Sequence, residues 1–374
     1  MELSYLAWTK NLERDLHRRD DCYQLLSSAV QEPTEILHRQ ITQNYESLIK
    51  PRLDIPNSWG HPSALEWLGF KYGINSQKIL LTYGTSNAIY LVNRALLQKD
   101  DQVILETPFY EPLRAAAEFV GAQITFIERQ SPNYQINPDD IIEALTDKTR
   151  LIVLTNLHNP SGAVMRIGDL IQISQIADNF NPQIKIVVDE IYHDFIIDQQ
   201  PSAASLAENL ISIASLTKVH GLALLRCGWV FASPDTIEQI RRVYIITEGN
   251  GSRLLEVISS VVLENLDEYL NYSHEIVANN RQILWDVIEP LLREEILSPD
   301  IPENGCVYFP KVIGLEDATE FVRNLAEKYH VYVVPGHFFG APSHLRIGFG
   351  GNTDKLRQSL LKFVEATFRL LRNK

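Results

Sequence analysis

Three near-continuous apolar runs constrain this chain more than any other feature: Leu151 to Leu154, Ile184 to Val188 and Leu210 to Ala214. A strand with one wet face alternates apolar and polar residues, so an unbroken apolar strand must be covered on both faces. Other strand patterns, at 78–82, 102–106 and 123–128, alternate with helical ones at 88–97, 113–120 and 138–145. Strands alternating with helices predict a mostly parallel sheet with a helical layer on each side. Each of the three runs stops in polar or small residues. Open sheets of this kind bind ligands at the carboxyl ends of their strands, so those stops are the places to look for chemistry.

The third run leads into Ser215-Leu216-Thr217-Lys218, and Arg226 follows eight positions after the lysine, then Gly228-Trp229. A desolvated lysine near a second cation loses its proton more easily. A neutral amine is what condensation with an aldehyde needs. The Ser215 and Thr217 hydroxyls, with a guanidinium nearby, suit a phosphate dianion. Pyridoxal 5'-phosphate (PLP) combines the two demands. A further anion site is read at Gly84-Thr85-Ser86, where a strand turns into a helix N-terminus with free N–H groups. Asp189 closes the second run, and a carboxylate at a buried strand tip needs a cationic partner. The protonated ring nitrogen of PLP is such a partner.

The S-x-T-K and R-x-G-W pattern resembles the lysine signature of the fold-type I, class I/II aminotransferases. Asn156-Leu157-His158-Asn159-Pro160-Ser161-Gly162 resembles that family's N-P-x-N-P-T-G, with Leu157 and Ser161 as departures. The resemblance covers residues 55 to 350. It implies a three-layer α/β/α fold with a mostly parallel sheet and a smaller C-terminal α/β domain. It implies a phosphate site at Gly84, Thr85, Ser86, Ser215, Thr217 and Arg226. Tyr110, two residues after Pro108, is implied as the ring that stacks on the cofactor, while Phe109 faces the core. Asn159 and Tyr192 are implied as donors to the cofactor's phenolate oxygen, Asp189 as the partner of its nitrogen, and Lys218 as its covalent anchor and the base at the substrate Cα. Arg346, on a strand at 343–349, is implied as the fork for the α-carboxylate of an amino acid, with Asn159 as a second substrate-binding residue. His158 has no assigned role.

The resemblance also implies a homodimer with shared sites. The family often has a tyrosine at the position of Ile55, reaching the partner's phosphate, so Asn57 or Trp59 takes its place or the contact is lost. No second arginine suited to a dicarboxylate stands out, which disfavours an aspartate-type substrate. Relatives that depart in this way include capreomycidine and enduracididine synthases, which cyclise hydroxylated arginines through elimination. Glu2, Glu111 and Glu248 are acids a guanidinium could meet. Transamination is the expected reaction and elimination–cyclisation the alternative.

A chain of 374 residues can bury a large core in two domains. The division expected is an N-terminal arm with helices over 1–50, a large domain over 51–285 and a small one over 286–374. Tyr5 and Trp8 in the arm are apolar anchors for either their own subunit or a partner. A net charge of −13 argues against nucleic acid. The three cysteines, Cys22, Cys227 and Cys306, fit no zinc spacing, and no metal is expected. Reduced thiols, no leader pattern and no membrane-length apolar run point to the cytoplasm. A nicotinamide dehydrogenase would need G-x-G-x-x-G after its first strand, which the turn at Gly84 lacks. A non-catalytic regulator on this fold would carry a basic DNA-binding module, and residues 1–50 show none.

Overall fold

A computed structural model describes residues 4–16, 19, 21–56, 59–249 and 251–372, the Arg372 side chain excepted. Chain order begins with α1 (Tyr5–Leu16), β1 (Tyr23–Gln24), α2 (Thr34–Asn44), α3 (Lys50–Arg52) and α4 (Pro62–Tyr72). The large sheet and its helices follow: β2 (Ile79–Thr82), α5 (Thr85–Leu96), β3 (Gln102–Thr107), α6 (Glu111–Val120), β4 (Gln123–Glu128) and α7 (Pro138–Ala144). Then come β5 (Thr149–Thr155), α8 (Ile167–Phe180), β6 (Lys185–Asp189), β7 (Leu210–Ser215), β8 (Gly228–Phe231) and α9 (Pro234–Thr247). The chain ends with α10 (Arg253–Glu264), α11 (Leu266–Arg293), β9 (Val307–Tyr308), α12 (Thr319–Tyr329), β10 (Val331–Tyr332), β11 (Val334–Pro335), β12 (Leu345–Gly348) and α13 (Thr353–Arg372).

Seven strands form the large sheet in the order β2-β8-β7-β6-β5-β3-β4. β7, β6, β5, β3 and β4 pair in parallel, whereas β8 runs antiparallel to both β7 and β2. The apolar runs are explained by their neighbours. Val153 and Val187 join a core cluster with Ala88 and Val92 of α5 and Ile240 of α9. Ile152, Leu154, Ile186 and Val188, on the other face of the same strands, join Leu170, Ile173 and Ala177 of α8. Both faces are dry, as the runs require.

Helix boundaries follow local chemistry. Ser233 caps α9 by accepting from Thr236 N, with Pro234 at the first helical position. Gly73 ends α4 at φ +66°, a left-handed conformation glycine adopts without strain. Residues 252–291 have continuous helical periodicity in sequence but form two helices, broken at Asn265 between α10 and α11.

The smaller unit is a three-stranded antiparallel sheet, β11-β12-β9, with α12 against β11 and α13 against α12, β1 and β10. The apolar stretch 331–334 reads as one strand in sequence. It divides instead: β10 pairs with β1 from the N-terminal segment, and β11 turns onto β12.

Candidate active site

The topology gathers the polar motifs on one edge of the large sheet. β2, β3, β5, β6 and β7 end there; the loops after β2, β3, β5 and β7 deliver Gly84, Tyr110, Asn159 and Lys218, and Asp189 is the last residue of β6. β8 runs the other way, so its start meets the same edge; Gly228 lies opposite both Ser215 and Thr82. Arg226, two residues earlier, therefore reaches the turn at Gly84. The backbones there nearly touch, since a Cβ on Gly228 would sit 2.7 Å from Gly84 Cα. A cavity of about 190 Å³ is lined by Ser28, Thr85, Ser86, Tyr110, Asn159, Asp189, Tyr192, Ser215, Thr217, Lys218 and Arg226, closed by Ile89 and Ile191. Arg346 stands behind Asn159, with its Nη1 donating to Asn159 Oδ1 at 3.3 Å.

One end of the cavity is built for an anion. Gly84 at φ +80° is the N-cap of α5 and supplies no side-chain cap. The first N–H groups of a helix have no partner within it, and Thr85 and Ser86 occupy those positions. Thr85 Oγ1 donates to Ser215 Oγ at 3.1 Å, and Arg226 Nη2 to the Tyr83 carbonyl at 3.0 Å.

Lys218 stands in the middle, its Nζ reaching only Ser28 Oγ at 3.4 Å among the described residues. Burial pulls its pKa below the ordinary lysine value, with Arg346 pushing the same way and Tyr5 opposing. Asp189 has a single N–H donor, Ile191, at 3.0 Å. Burial pushes its carboxyl up to about 7, against the pull of that N–H, and Glu106 and Glu190 add to the rise. Lys218 pulls the other way but does not offset the burial.

The far end is aromatic. The Tyr110 ring meets Tyr5 edge-on at 5.9 Å between centroids, and Tyr5 also packs on Phe338 and Phe339. Tyr5 therefore anchors α1 to its own chain, and Trp8 does the same on Phe338 at 5.2 Å. Arg346 Nη2 donates to Tyr5 Oη at 3.0 Å. Burial would raise the Tyr5 pKa, yet Arg346 and Lys218 bring it below the ordinary phenol value. Tyr192 lines the cavity but gives its proton to the Ser28 carbonyl at 2.8 Å. Phe109 is buried, as its expected core position requires.

Three features escape sequence reading. Ser28, in a loop 190 residues from Lys218, touches both that lysine and Tyr192. Arg129 and Glu106 form a fully buried ion pair at 2.6 Å, with Thr155 Oγ1 also bonded to Glu106 and Asn159 N donating to Thr155 at 3.4 Å. Burial holds His158 neutral, far below the usual histidine value. Its Nε2–H donates to the Pro108 carbonyl at 2.8 Å, leaving Nδ1 to accept from Ser161 at 2.6 Å. His158 thus ties the loop of Asn159 to the loop of Tyr110. Glu248 accepts from Asn87 at 2.7 Å, and Trp59 packs on Tyr244 and under Arg241; Glu2 and Asn57 lie outside the described residues.

A lysine amine, a cation-seeking carboxyl and an anion cradle on one sheet edge define a cofactor enzyme of the α/β type. Residues 24–363 match the family model "Aminotransferase class I and II", and the chain belongs to that family. It is a PLP-dependent enzyme of the transaminase or cyclase kind. The chain is 28% identical over 292 residues to capreomycidine synthase of Streptomyces vinaceus, covering 77% of this chain and 74% of that protein. It is 24% identical over 307 residues to arginine–pyruvate transaminase of Pseudomonas aeruginosa, covering 80% and 77%. Among solved structures, aspartate aminotransferase of Thermus thermophilus with maleate superposes with a TM-score of 0.87 at 19% identity, covering 98% and 97%. The PLP-dependent cyclase OrfR superposes at 0.82 and 23% identity, covering 97% and 96%. The donor set fits PLP: an amine for its aldehyde, a buried carboxyl with a raised pKa for its ring nitrogen, and uncapped N–H groups for its phosphate.

Proposed function

We propose that the chain is an aminotransferase acting at the Cα of an amino acid whose carboxylate is held by Arg346. The observation that carries this reading is the meeting of Lys218, Asp189, Asn159 and Tyr110 around one cavity with Arg346 at its back. When bound, PLP supplies an aldehyde that condenses with amines and a ring that accepts the electron pair left at the substrate Cα. Gly84, Thr85, Ser86, Ser215, Thr217 and Arg226 hold its phosphate, and Tyr110 covers its ring. Asp189 keeps the ring nitrogen protonated. Asn159, with its oxygen turned to Arg346, offers its NH₂ to the phenolate oxygen, and Tyr192 is the second donor once it leaves Ser28. Lys218 anchors the aldehyde. Displaced by the substrate amine, Lys218 Nζ takes the Cα proton, a task its lowered pKa suits. Arg346 fixes the carboxylate through a planar pair of N–H bonds, which sets the Cα–H bond toward Nζ.

The second reading is elimination and cyclisation of a hydroxylated arginine. Its support is the similarity to capreomycidine synthase and to the cyclase OrfR. There Lys218 would take the same proton, and the substrate would lose a side-chain leaving group instead of its amino group. We further propose a homodimer in the cytoplasm, with residues 51–285 as the large domain, 286–374 as the small one, and 1–50 an arm whose β1 joins the small unit.

The test is to add a panel of amino acids, with and without pyruvate, to the holoenzyme and follow the cofactor absorbance. Transamination gives the amine form of the cofactor and a free keto acid. A long-wavelength band without amino transfer favours the second reading. No spectral change with any amino acid sinks both.

A further inference from the structure

Lys218 sits in a tight turn that one side chain ties to the loop of Asp189. The turn closes on itself, with Leu222 N donating to the Leu216 carbonyl at 3.0 Å. The Lys218 carbonyl accepts from Val30 N, also at 3.0 Å. His220, two residues past the lysine, is 1% exposed, and both its ring nitrogens are buried. Its Nε2 lies 3.4 Å from Asp194 Oδ2. Asp194 stands two residues past Tyr192, in the short helical turn His193–Phe195 that follows β6.

Burial alone would raise the Asp194 carboxyl, yet His220 beside it and the hydroxyl of Tyr72 hold it down at about 2. An ionised carboxylate only accepts, so the nitrogen that faces it carries the proton, and His220 is assigned an Nε2–H. At 3.4 Å the contact is longer than an ordinary N–H···O bond and works mainly through electrostatics. Tyr72 Oη donates to the same oxygen at 2.8 Å from the end of α4, its ring packed on Trp229 and Phe231. Asp194 is thereby anchored from behind and presented to His220.

The contact joins two loops that one cofactor must span. The turn of Lys218 meets the PLP aldehyde, and the loop of Asp189 meets the ring nitrogen. A rigid ring held at both places tolerates little drift between them. We propose that His220 is a positioning residue: by facing Asp194 it keeps the turn of Lys218 in register with the loop of Asp189 and Tyr192. This rests on the reading of Lys218 as the covalent anchor and Asp189 as the partner of the ring nitrogen.

A consequence can be read at the lysine nitrogen. Burial disfavours its charge, Arg346 acts the same way, and Tyr5, Cys306 and Asp189 oppose them. A turn free to drift admits water to that nitrogen and favours the charged form. When the nitrogen is joined to PLP, its protonation changes the cofactor's absorbance, so a pH titration of the holoenzyme reports where Lys218 sits.

The titration compares wild type, His220→Phe, His220→Gln and Tyr72→Phe, each with its unfolding temperature. His220→Phe keeps a ring and deletes the N–H, and its absorbance midpoint rises by about one pH unit. His220→Gln restores an N–H donor and returns the midpoint toward wild type. Tyr72→Phe deletes a bond to the same carboxylate from α4, none of whose residues lines the cavity, so it lowers the unfolding temperature and leaves the midpoint in place. An unmoved midpoint in His220→Phe overturns the proposal. So does a His220→Gln midpoint equal to that of His220→Phe, or a Tyr72→Phe midpoint shifted as far. If His220→Phe does not fold, Asp194→Asn carries the test, because it keeps the shape and removes the charge that His220 faces; an unmoved midpoint there overturns the proposal too. Borohydride treatment of wild type followed by mass spectrometry separates the two levels. An adduct at a residue other than Lys218 sinks the reading beneath the proposal, and an adduct at Lys218 with unmoved midpoints sinks the proposal alone.

Discussion

Arg226 stands exposed beside the helix N-terminus of α5, whereas Arg346, on the middle strand of the small sheet, is buried among aromatic rings. Arg226 bonds one backbone carbonyl and shares its end of the cavity with uncapped N–H groups and the hydroxyls of Thr85, Ser215 and Thr217. Water screens it, and each donor there is replaceable. Arg346 has no carboxylate partner among the described residues and works in a site from which water is excluded. A charge so placed interacts strongly with whatever anion reaches it and leaves a large deficit when removed. On the proposed reading the two ends solve anion binding differently. The exposed one sums many weak donors, and the buried one relies on a single strong fork.

Lys218 serves both ends, so its loss is the largest effect expected. Lys218→Ala lowers turnover by about 10⁴-fold, the upper range for a misplaced proton-transfer group that is also the covalent anchor. Borohydride treatment followed by mass spectrometry then finds no pyridoxyl adduct on the chain. An adduct at another residue in the variant would place the anchor elsewhere and dissolve the comparison.

Asp189 extends the contrast to a buried anion. Its folded pKa of about 7 lies above the roughly 3.9 of an unfolded aspartate. Between those values the folded state holds a proton that the unfolded state has lost. The stabilisation is therefore complete below about pH 4 and lost as pH rises to about 7, on the order of 4 kcal/mol for the cofactor-free protein. Urea melts across that range show the decline in wild type and a flatter profile in Asp189→Asn. Equal slopes in the two proteins would mean that Asp189 is not the group whose burial resists ionisation.

How far the sequence could be read follows from the same difference in surroundings. The exposed end is local: the Gly84 turn opens α5, and Ser215, Thr217, Lys218 and Arg226 sit within a dozen residues, so pattern and chemistry coincide. Tyr110 and Asn159 follow from the family resemblance and Asp189 from its place at the tip of an apolar strand; the structure brings the three to one cavity. The buried end is assembled from afar. Tyr5 meets Arg346 across 341 positions, and Ser28 meets Lys218 across 190. No periodicity encodes such pairs, since tertiary packing alone selects them. Arg129 and Glu106 read as ordinary strand-end charges, and only the closed sheet reveals them as a buried pair. The division of 331–334 between two sheets is equally silent, because apolar character marks burial and not the partner strand.

The smaller effects set the two arginines directly against each other. Arg346→Lys keeps the charge and loses the planar fork, so kcat/KM for the amino acid falls about 10²- to 10³-fold, the consequence of breaking a buried charge-assisted pair. The affinity for PLP, read from the fluorescence of cofactor titrations, stays within about threefold of wild type, because Arg346 lies behind Asn159 and does not line the cavity.

Arg226→Gln does the reverse on a smaller scale. It weakens PLP binding about tenfold, the contribution of one exposed charge among several donors, and leaves kcat of the saturated enzyme nearly unchanged. The wild-type excess in affinity shrinks as salt is raised, since an exposed guanidinium is screened within about 10 Å at 0.1 M ionic strength. Measuring both variants at two salt concentrations sharpens the contrast. The Arg226 effect fades with salt, and the Arg346 effect on kcat/KM persists. If both fade alike, Arg346 is reached by solvent in the working enzyme. The burial that distinguishes the two ends would then not hold in the working enzyme.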